Sequence, residues 1–409
     1  MKGESWGRAS RVRSYALVLL ATASLIVSAH PQTYTVLHTF TGGTDGIWPE
    51  GGVIRDGAGN VYGTTEFGGK NLPLGNGILY KVSKTGHETI LHSFNVQDGL
   101  APFGSLIEDA AGNLYGTTSE GGAYNGGTVF KVDRFGNETV LHNFSGGDGA
   151  DPLGGLIADA QGNLYGTAAE GGDFDYGVVY KMDADGNVTV LHSFNLTQGA
   201  YPGGELVMDA KGALYGATAS GGVGACDEGC GSIFKINAAG KFSVLHLFRR
   251  REEGWSPESS LILDKNGTLY GTTDVGGDVN CSIAGSVGCG VIFALSASGR
   301  YTVLHAFHGA IQVLDGAFPN GGLGGDSAGN LYGMTYYGGH FDNGSIFKLD
   351  PAGKLTVLYS FGDGPSGRNP VAGLIRDSAG SFYGTTLLGG DLTCQAPDGC
   401  GTVFKFTPQ

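Results

Sequence analysis

Basic charge is scarce in this chain. Lys and Arg number 24 against 38 Asp and Glu, for a formal net charge of −14. An acidic surface repels phosphate backbones, which excludes nucleic acid as a partner. Tryptophan is scarcer still, with three residues in 409. The aromatic signature of kelch repeats is therefore missing, although their length is similar. After residue 29 no apolar stretch is long enough to span a membrane, and nothing marks a C-terminal anchor. Glycine is abundant, at 77 residues, but without a Gly-X-Y period, so collagen is excluded. No catalytic signature stands out, and no spacing calls for a cofactor or a metal.

What is present is a repeat. Leu-Tyr-Gly-Thr-Thr or a near copy recurs with its tyrosine at Tyr62, Tyr115, Tyr165, Tyr215, Tyr270, Tyr332 and Tyr383. A period near fifty residues along the whole length means one repeat architecture. Each period carries four short runs, called A to D. In the second they are 104–109, 113–118, 127–132 and 139–144. They are rich in β-branched and aromatic residues, bounded by Gly, Asn and Asp, and too short for helices, so they read as strands. Several are continuously apolar, as in a sheet buried on both faces. The A–B turns follow Asp-x-x-Gly-Asn, as at 56–60 and 109–113, and the C–D turns carry Gly86, Gly136 and their equivalents. These residues supply the side-chain hydrogen bonds and positive φ of tight hairpins.

The ends determine the architecture. The first strand, 35–40, is a D strand with no A, B or C before it. The last, 401–406, is a C strand with no D after it. Twenty-eight strands then close only if the N-terminal D strand completes the last blade. A ring also hides edges that would template aggregation. The expected fold is all-β, a seven-bladed β-propeller of four-stranded antiparallel blades, closed by the N-terminal strand. The domain lies within 30–409. An open β-solenoid would give no reason for a split terminal repeat.

Residues 1–29 read as a secretory signal peptide. Lys2, Arg8, Arg11 and Arg13 precede an apolar stretch from Tyr15 to Ala29 that ends Val27-Ser28-Ala29. The expected location is secreted or periplasmic, with no membrane span in the mature chain. The cysteines fit an oxidising compartment. They fall as Cys226/Cys230, Cys281/Cys289 and Cys394/Cys400, each pair within one B–C loop. Three local disulfides are expected, each contributing about 2 kcal/mol by chain entropy. A Cys₄ zinc site shared by two blades is the rival, and its spacings suit zinc poorly.

The phrases Gly-Gly-Leu-Ile-Ala-Asp (154–159), Gly-Asn-Leu-Tyr-Gly-Thr (162–167), Gly-Thr-Val-Phe-Lys-Val (127–132), Thr-Val-Leu-His-Ser-Phe (189–194) and Asp-Gly-Ala-Asp-Pro (148–152) together resemble the GloVer tandem-repeat family of secreted bacterial proteins. The resemblance covers the chain beyond residue 29. It implies a secreted propeller and transfers no catalytic residue.

Comparison of the blades separates framework from site. Six histidines share one D-strand position, His38, His92, His142, His192, His246 and His305, with Tyr359 in the seventh; they read as structural. So do the A–B turn aspartates and the B-strand tyrosines. Variation concentrates in the D–A and B–C loops, which emerge on one face of a propeller. The residue before each D–A proline changes in every blade: Trp48, Ala101, Asp151, Tyr201, Ser256, Phe318, Asn369. Trp255 lies one place earlier than Ser256. The B–C loops add Tyr124, Asp173, Phe174, Asp175, Tyr176, Tyr336, Tyr337, His340, Phe341 and Asp342. Aromatics beside carboxylates suit sugar stacking with hydrogen bonds to hydroxyls, and equally a protein contact surface. The candidate ligand-binding set is Trp48, Tyr201, Trp255, Phe318, Tyr336, Tyr337, His340 and Asp342. His308, His340, Asp315 and Asp342 also form a candidate acid–base or metal cluster. Arg249 to Glu253 reads as a solvated charge run.

The function expected is a secreted scaffold that binds an extracellular polysaccharide or a protein through this face. The alternative is a carbohydrate- or lactone-active enzyme with a carboxylate pair or metal at the mouth of the ring.

Overall fold

The computed structural model describes residues 32–70, 74–222, 229–249, 251–283, 285–309 and 314–408. The expected signal peptide, Cys226 and Arg250 lie outside them. The described chain forms seven four-stranded antiparallel sheets arranged as a seven-bladed β-propeller. Blade one comprises A Ile54–Arg55, B Val61–Thr65, C Ile78–Val82 and D Glu88–Ser93. In blade seven, Thr33–Thr39 pairs with Thr402–Thr407, so the first strand closes the ring. Among the described residues two further short strands, Ser282–Ile283 and Ser286–Val287, form a hairpin inside the B–C loop of blade five.

The A strands are shorter than the 104–109 run suggests. Only Ile107 and Glu108 pair, with Tyr115 and Leu114. The cause is crowding at the axis. A Cβ on Gly104 would lie 2.8 Å from Gly154 O of the next blade. The glycine segments pack on one another across blades and pair with their own B strand only beyond the crowded zone.

The recurrent B-strand phrase has a physical account at each position. The tyrosine hydroxyl donates to the A–B turn aspartate, as Tyr115 does to Asp109 Oδ2 at 3.1 Å. The C-strand lysine lies over the same ring, as Lys131 does at 5.7 Å from the Tyr115 centroid. The glycine faces a C-strand aromatic directly across the ladder, Gly116 opposite Phe130. A Cβ there would meet Phe130 Cζ at 2.6 Å. The first threonine reaches the next blade, as Thr64 Oγ1 does in donating to Pro102 O at 3.0 Å.

The blades are joined by one contact made seven times. The phenylalanine that ends each D strand meets the C-strand aromatic of the following blade edge to face. Phe361 on Phe404 (5.6 Å) and Phe40 on Tyr80 (5.1 Å) flank the closing blade. Such pairs add about 0.5–1.5 kcal/mol each beyond area burial. The core is thus a ring of inter-blade clusters around a narrow axis.

Candidate functional site

The D–A and B–C loops lie on one face, stitched by backbone hydrogen bonds. Each residue before a D–A proline has positive φ, from 50° at Ala101 to 57° at Trp48 and Phe318. Its N–H donates to the preceding blade's B–C loop, as Trp48 N does to Cys400 O at 3.1 Å. Its carbonyl accepts from the residue after its own B strand, here Glu66 N at 2.9 Å. Left-handed φ in a non-glycine residue is strained. Because every blade shares it, this strain belongs to ring assembly, and only the side chain is left free to vary.

The expected aromatic residues are spread around the ring rather than gathered. Trp48 packs edge-on against Phe67 at 5.6 Å. Its indole Nε1 is buried with no partner, as is that of Trp255, over which Arg251 lies at 5.7 Å. Tyr201 faces Tyr176 at 6.1 Å. Phe318 is buried against Tyr337, which also meets Tyr336 edge to face. His340 is exposed. Asp342 has φ 59° and accepts from Gly338 N at 2.9 Å. Asp175 does the same for Gly171 N in blade three, so Asp342 shapes its loop. The histidine that joins His308 and Asp315 is His305, and the expected four-residue cluster with His340 and Asp342 does not form. Tyr124, Phe174 and Phe341 share one loop-tip position and are 68%, 56% and 53% exposed.

The axial mouth holds a group that loop-by-loop reading missed. The residue after each D–A proline borders the channel, including Glu50, Phe103, Leu153, Glu258 and Asn320. Phe103 and Leu153 also line a cavity of about 360 Å³ with Glu66, Phe67, Leu100, Glu120 and Asp151. The cavity therefore opens at the channel mouth between blades one and three. Glu50 and Glu66 are hydrogen-bonded to each other. Burial, then the charge of Glu66 and its hydrogen bond, pushes the Glu50 carboxyl up to about 8. Burial, with Glu120 nearby, pushes Glu66 up to about 7. Burial and the charges of Glu170 and Glu120 raise Asp151 to about 6. Across the ring, burial and Glu258 raise Asp274 to about 7. Deeper in the channel, burial also raises the Glu205 carboxyl, and its hydrogen bond with Ser105 opposes the shift. The sequence signal was present two residues beyond the variable pre-proline position, just after the proline.

The D-strand histidines hold their D–A loops. Five pair with a loop carboxylate: His38–Asp45, His92–Asp98, His142–Asp148, His246–Glu253 and His305–Asp315, at 2.7–3.8 Å. His192 bonds Gln198. The residue four places before the framework position in the next blade's D strand packs on several of these rings, and on Tyr359 in their place in blade six. Phe242 stacks on His192 at 3.6 Å, Tyr301 on His246 at 4.2 Å and Tyr34 on Tyr359 at 4.3 Å. At His38 that position is Glu88, whose carboxyl is raised to about 9 by burial and by Asp45.

Cys281–Cys289 and Cys394–Cys400 are disulfides, and Cys230 is also disulfide-bonded. This overturns the zinc alternative for these thiols. In the charge run, Glu253 accepts from Arg249 N and lies 3.8 Å from His246, so part of it anchors the loop. No helix among the described residues is long and apolar enough to cross a membrane.

Fold and face together define a closed seven-bladed propeller with an acidic, aromatic-flanked axial mouth. The family model for the Gloeobacter/Verrucomicrobia repeat matches residues 21–226, 135–283 and 208–409, and the chain belongs to that family. No curated protein sequence matches it. Among solved structures it is similar to a virginiamycin B lyase from Staphylococcus aureus. Identity is 14% and the TM-score 0.57, with 92% of this chain and 99% of the lyase covered. It is also similar to the extracellular domain of a hybrid two-component system from B. thetaiotaomicron. There identity is 11% and the TM-score 0.55, over 91% of this chain and 39% of that one. A puromycin-hydrolyzing peptidase from Mycobacterium tuberculosis gives 11% identity and TM-score 0.52, over 83% and 52%. At these identities the likeness shows the fold alone.

Proposed function

We propose that this protein is an extracytoplasmic glycan-binding propeller whose ligand sits at the axial mouth between blades one and three. The disulfides are compatible with that compartment. The observation that carries the reading is the chemistry of the 360 Å³ cavity: Glu66, Glu120 and Asp151 beside Phe67, Phe103 and Leu153. Glu66 lines this cavity and Glu50 the adjoining channel mouth, and burial raises both carboxyls. A carboxyl pair that keeps a proton both donates and accepts, which matches sugar hydroxyls. The apolar wall offers a face for a sugar ring.

The pair is in hydrogen-bond contact. Glycoside hydrolases hold their two carboxyl groups about 5–9.5 Å apart. The Glu50–Glu66 contact therefore favours binding over glycoside hydrolysis by these two groups.

The test uses Trp48, which touches the cavity residue Phe67. A panel of soluble polysaccharides is titrated against the purified protein while tryptophan emission is followed. A saturable change, lost in Phe103→Ala and weakened in Glu66→Gln, is expected. No heat of binding and no emission change with any glycan would refute the reading. Release of new reducing ends, abolished in Glu66→Gln, would replace it with an enzymatic one.

A further inference from the structure

The D–A loop entering blade six differs from its counterparts. His305 and its carboxylate are ten residues apart, where the equivalent His92–Asp98 pair is six apart. The longer loop brings a second histidine to the same carboxylate. Asp315 Oδ2 lies 3.0 Å from His305 Nε2 and 3.0 Å from His308 Nδ1. Among the described residues, every other histidine-containing cluster of this kind has one histidine and two carboxylates.

We infer that His305 Nε2, His308 Nδ1 and Asp315 Oδ2 form a divalent transition-metal site of the zinc type. Two imidazoles and one carboxylate select a late first-row ion over calcium or magnesium, which take oxygen ligands. Zinc holds such donors at about 2.0–2.2 Å, so tetrahedral ligands stand about 3.4 Å apart. The present 3.0 Å separations need to open by only a few tenths of an ångström.

The surroundings are those a ligand set needs. Asp315 is buried, and its other oxygen accepts from His308 N at 3.0 Å, which fixes the carboxylate. Behind the His308 ring, Nε2 faces Asp278 Oδ2 at 3.9 Å. Asp278 is itself held through Oδ1 by Asn280 N and Nδ2, both at 2.9 Å. Metal-bound histidines hydrogen-bond their second nitrogen to a carboxylate, which sets the tautomer and raises basicity; a movement of about 1 Å brings His308 and Asp278 to that contact. On binding, His308 carries its proton on Nε2, towards Asp278. The His308 side chain is 36% exposed, so the ion keeps an open side for water or a ligand. Nothing in this site depends on the glycan reading, which concerns blades one to three.

The chelator-stripped protein is titrated with Co²⁺ and then Zn²⁺ at pH 7.5. One equivalent of Co²⁺ should give visible d–d absorption that Zn²⁺ displaces. His308→Ala, at a partly exposed position, should remove the absorption and lower zinc affinity at least 100-fold. Asp278→Asn should lower it about 10-fold, the range for carboxylates behind a metal-bound histidine. His92→Ala, in the ordinary pair, should leave binding unchanged. Absence of saturable binding, or wild-type affinity in His308→Ala, would overturn the assignment and leave the cluster a hydrogen-bonded loop anchor.

Discussion

Replacing Gly116 by alanine tests the account of the repeat's own signature. This glycine has ordinary negative-φ strand geometry, so alanine meets no backbone penalty. The obstacle is steric: the new methyl would sit 2.6 Å from Phe130 Cζ and 2.9 Å from Leu106 Cδ2. Phe130 is fully buried and cannot swing away. Overpacking of this kind costs about 1–3 kcal/mol. At about 2.1 cal/mol/K per residue over the roughly 360 described residues, that loss lowers Tm by about 1–4 °C. Phe130→Leu removes the ring that collides. The double variant should then be less destabilised than the two single changes together, with a coupling of about 0.5–3 kcal/mol. Urea unfolding followed by circular dichroism measures all four proteins. A neutral Gly116→Ala, or strict additivity in the double variant, would refute the claim that the glycine exists to seat the ring.

Three further outcomes are expected. Glu50, Glu66, Asp274 and Glu88 all have folded-state values raised, to about 8, 7, 7 and 9, so the folded state binds more protons than the unfolded one. Their contribution is fully present below about pH 4 and is lost as pH rises through 7 to 9; Tm should fall across that window, and Glu88→Gln should flatten the slope. Tyr165→Phe removes the hydroxyl that donates to Asp159 at 3.0 Å and should cost about 1 kcal/mol in urea unfolding, with no change in ligand titrations. Removal of strand Thr33–Thr39 exposes the edge of Thr402–Thr407, and light scattering should then show self-association, whereas a monomer of native Tm would contradict closure by that strand.

The blade count, strand order and closure were legible in the sequence because they rest on local, repeated chemistry. Asp and Asn at 109 and 113 form a turn wherever they sit between strands, and seven copies of Leu-Tyr-Gly-Thr-Thr announce seven blades. A D strand at one end and a C strand at the other admit one ring. The disulfide pairings of blades five and seven were equally readable, since each pair lies six or eight residues apart in one loop. What the linear chain conceals is anything built across blades. Glu50 and Glu66 are sixteen residues apart, yet they share a hydrogen bond because the ring folds a D–A loop over the end of its B strand. Asp151 joins Glu66 in one cavity from two blades away. Asp342 looked like a free carboxylate in a variable loop, but its φ of 59° and its bond to Gly338 make it part of the turn. His305 looked like one more framework residue until a longer loop folded His308 onto the same aspartate. Repetition encodes the scaffold residue by residue. The functional face depends on which departures from the repeat are brought together, and that is decided by curvature and packing around the axis.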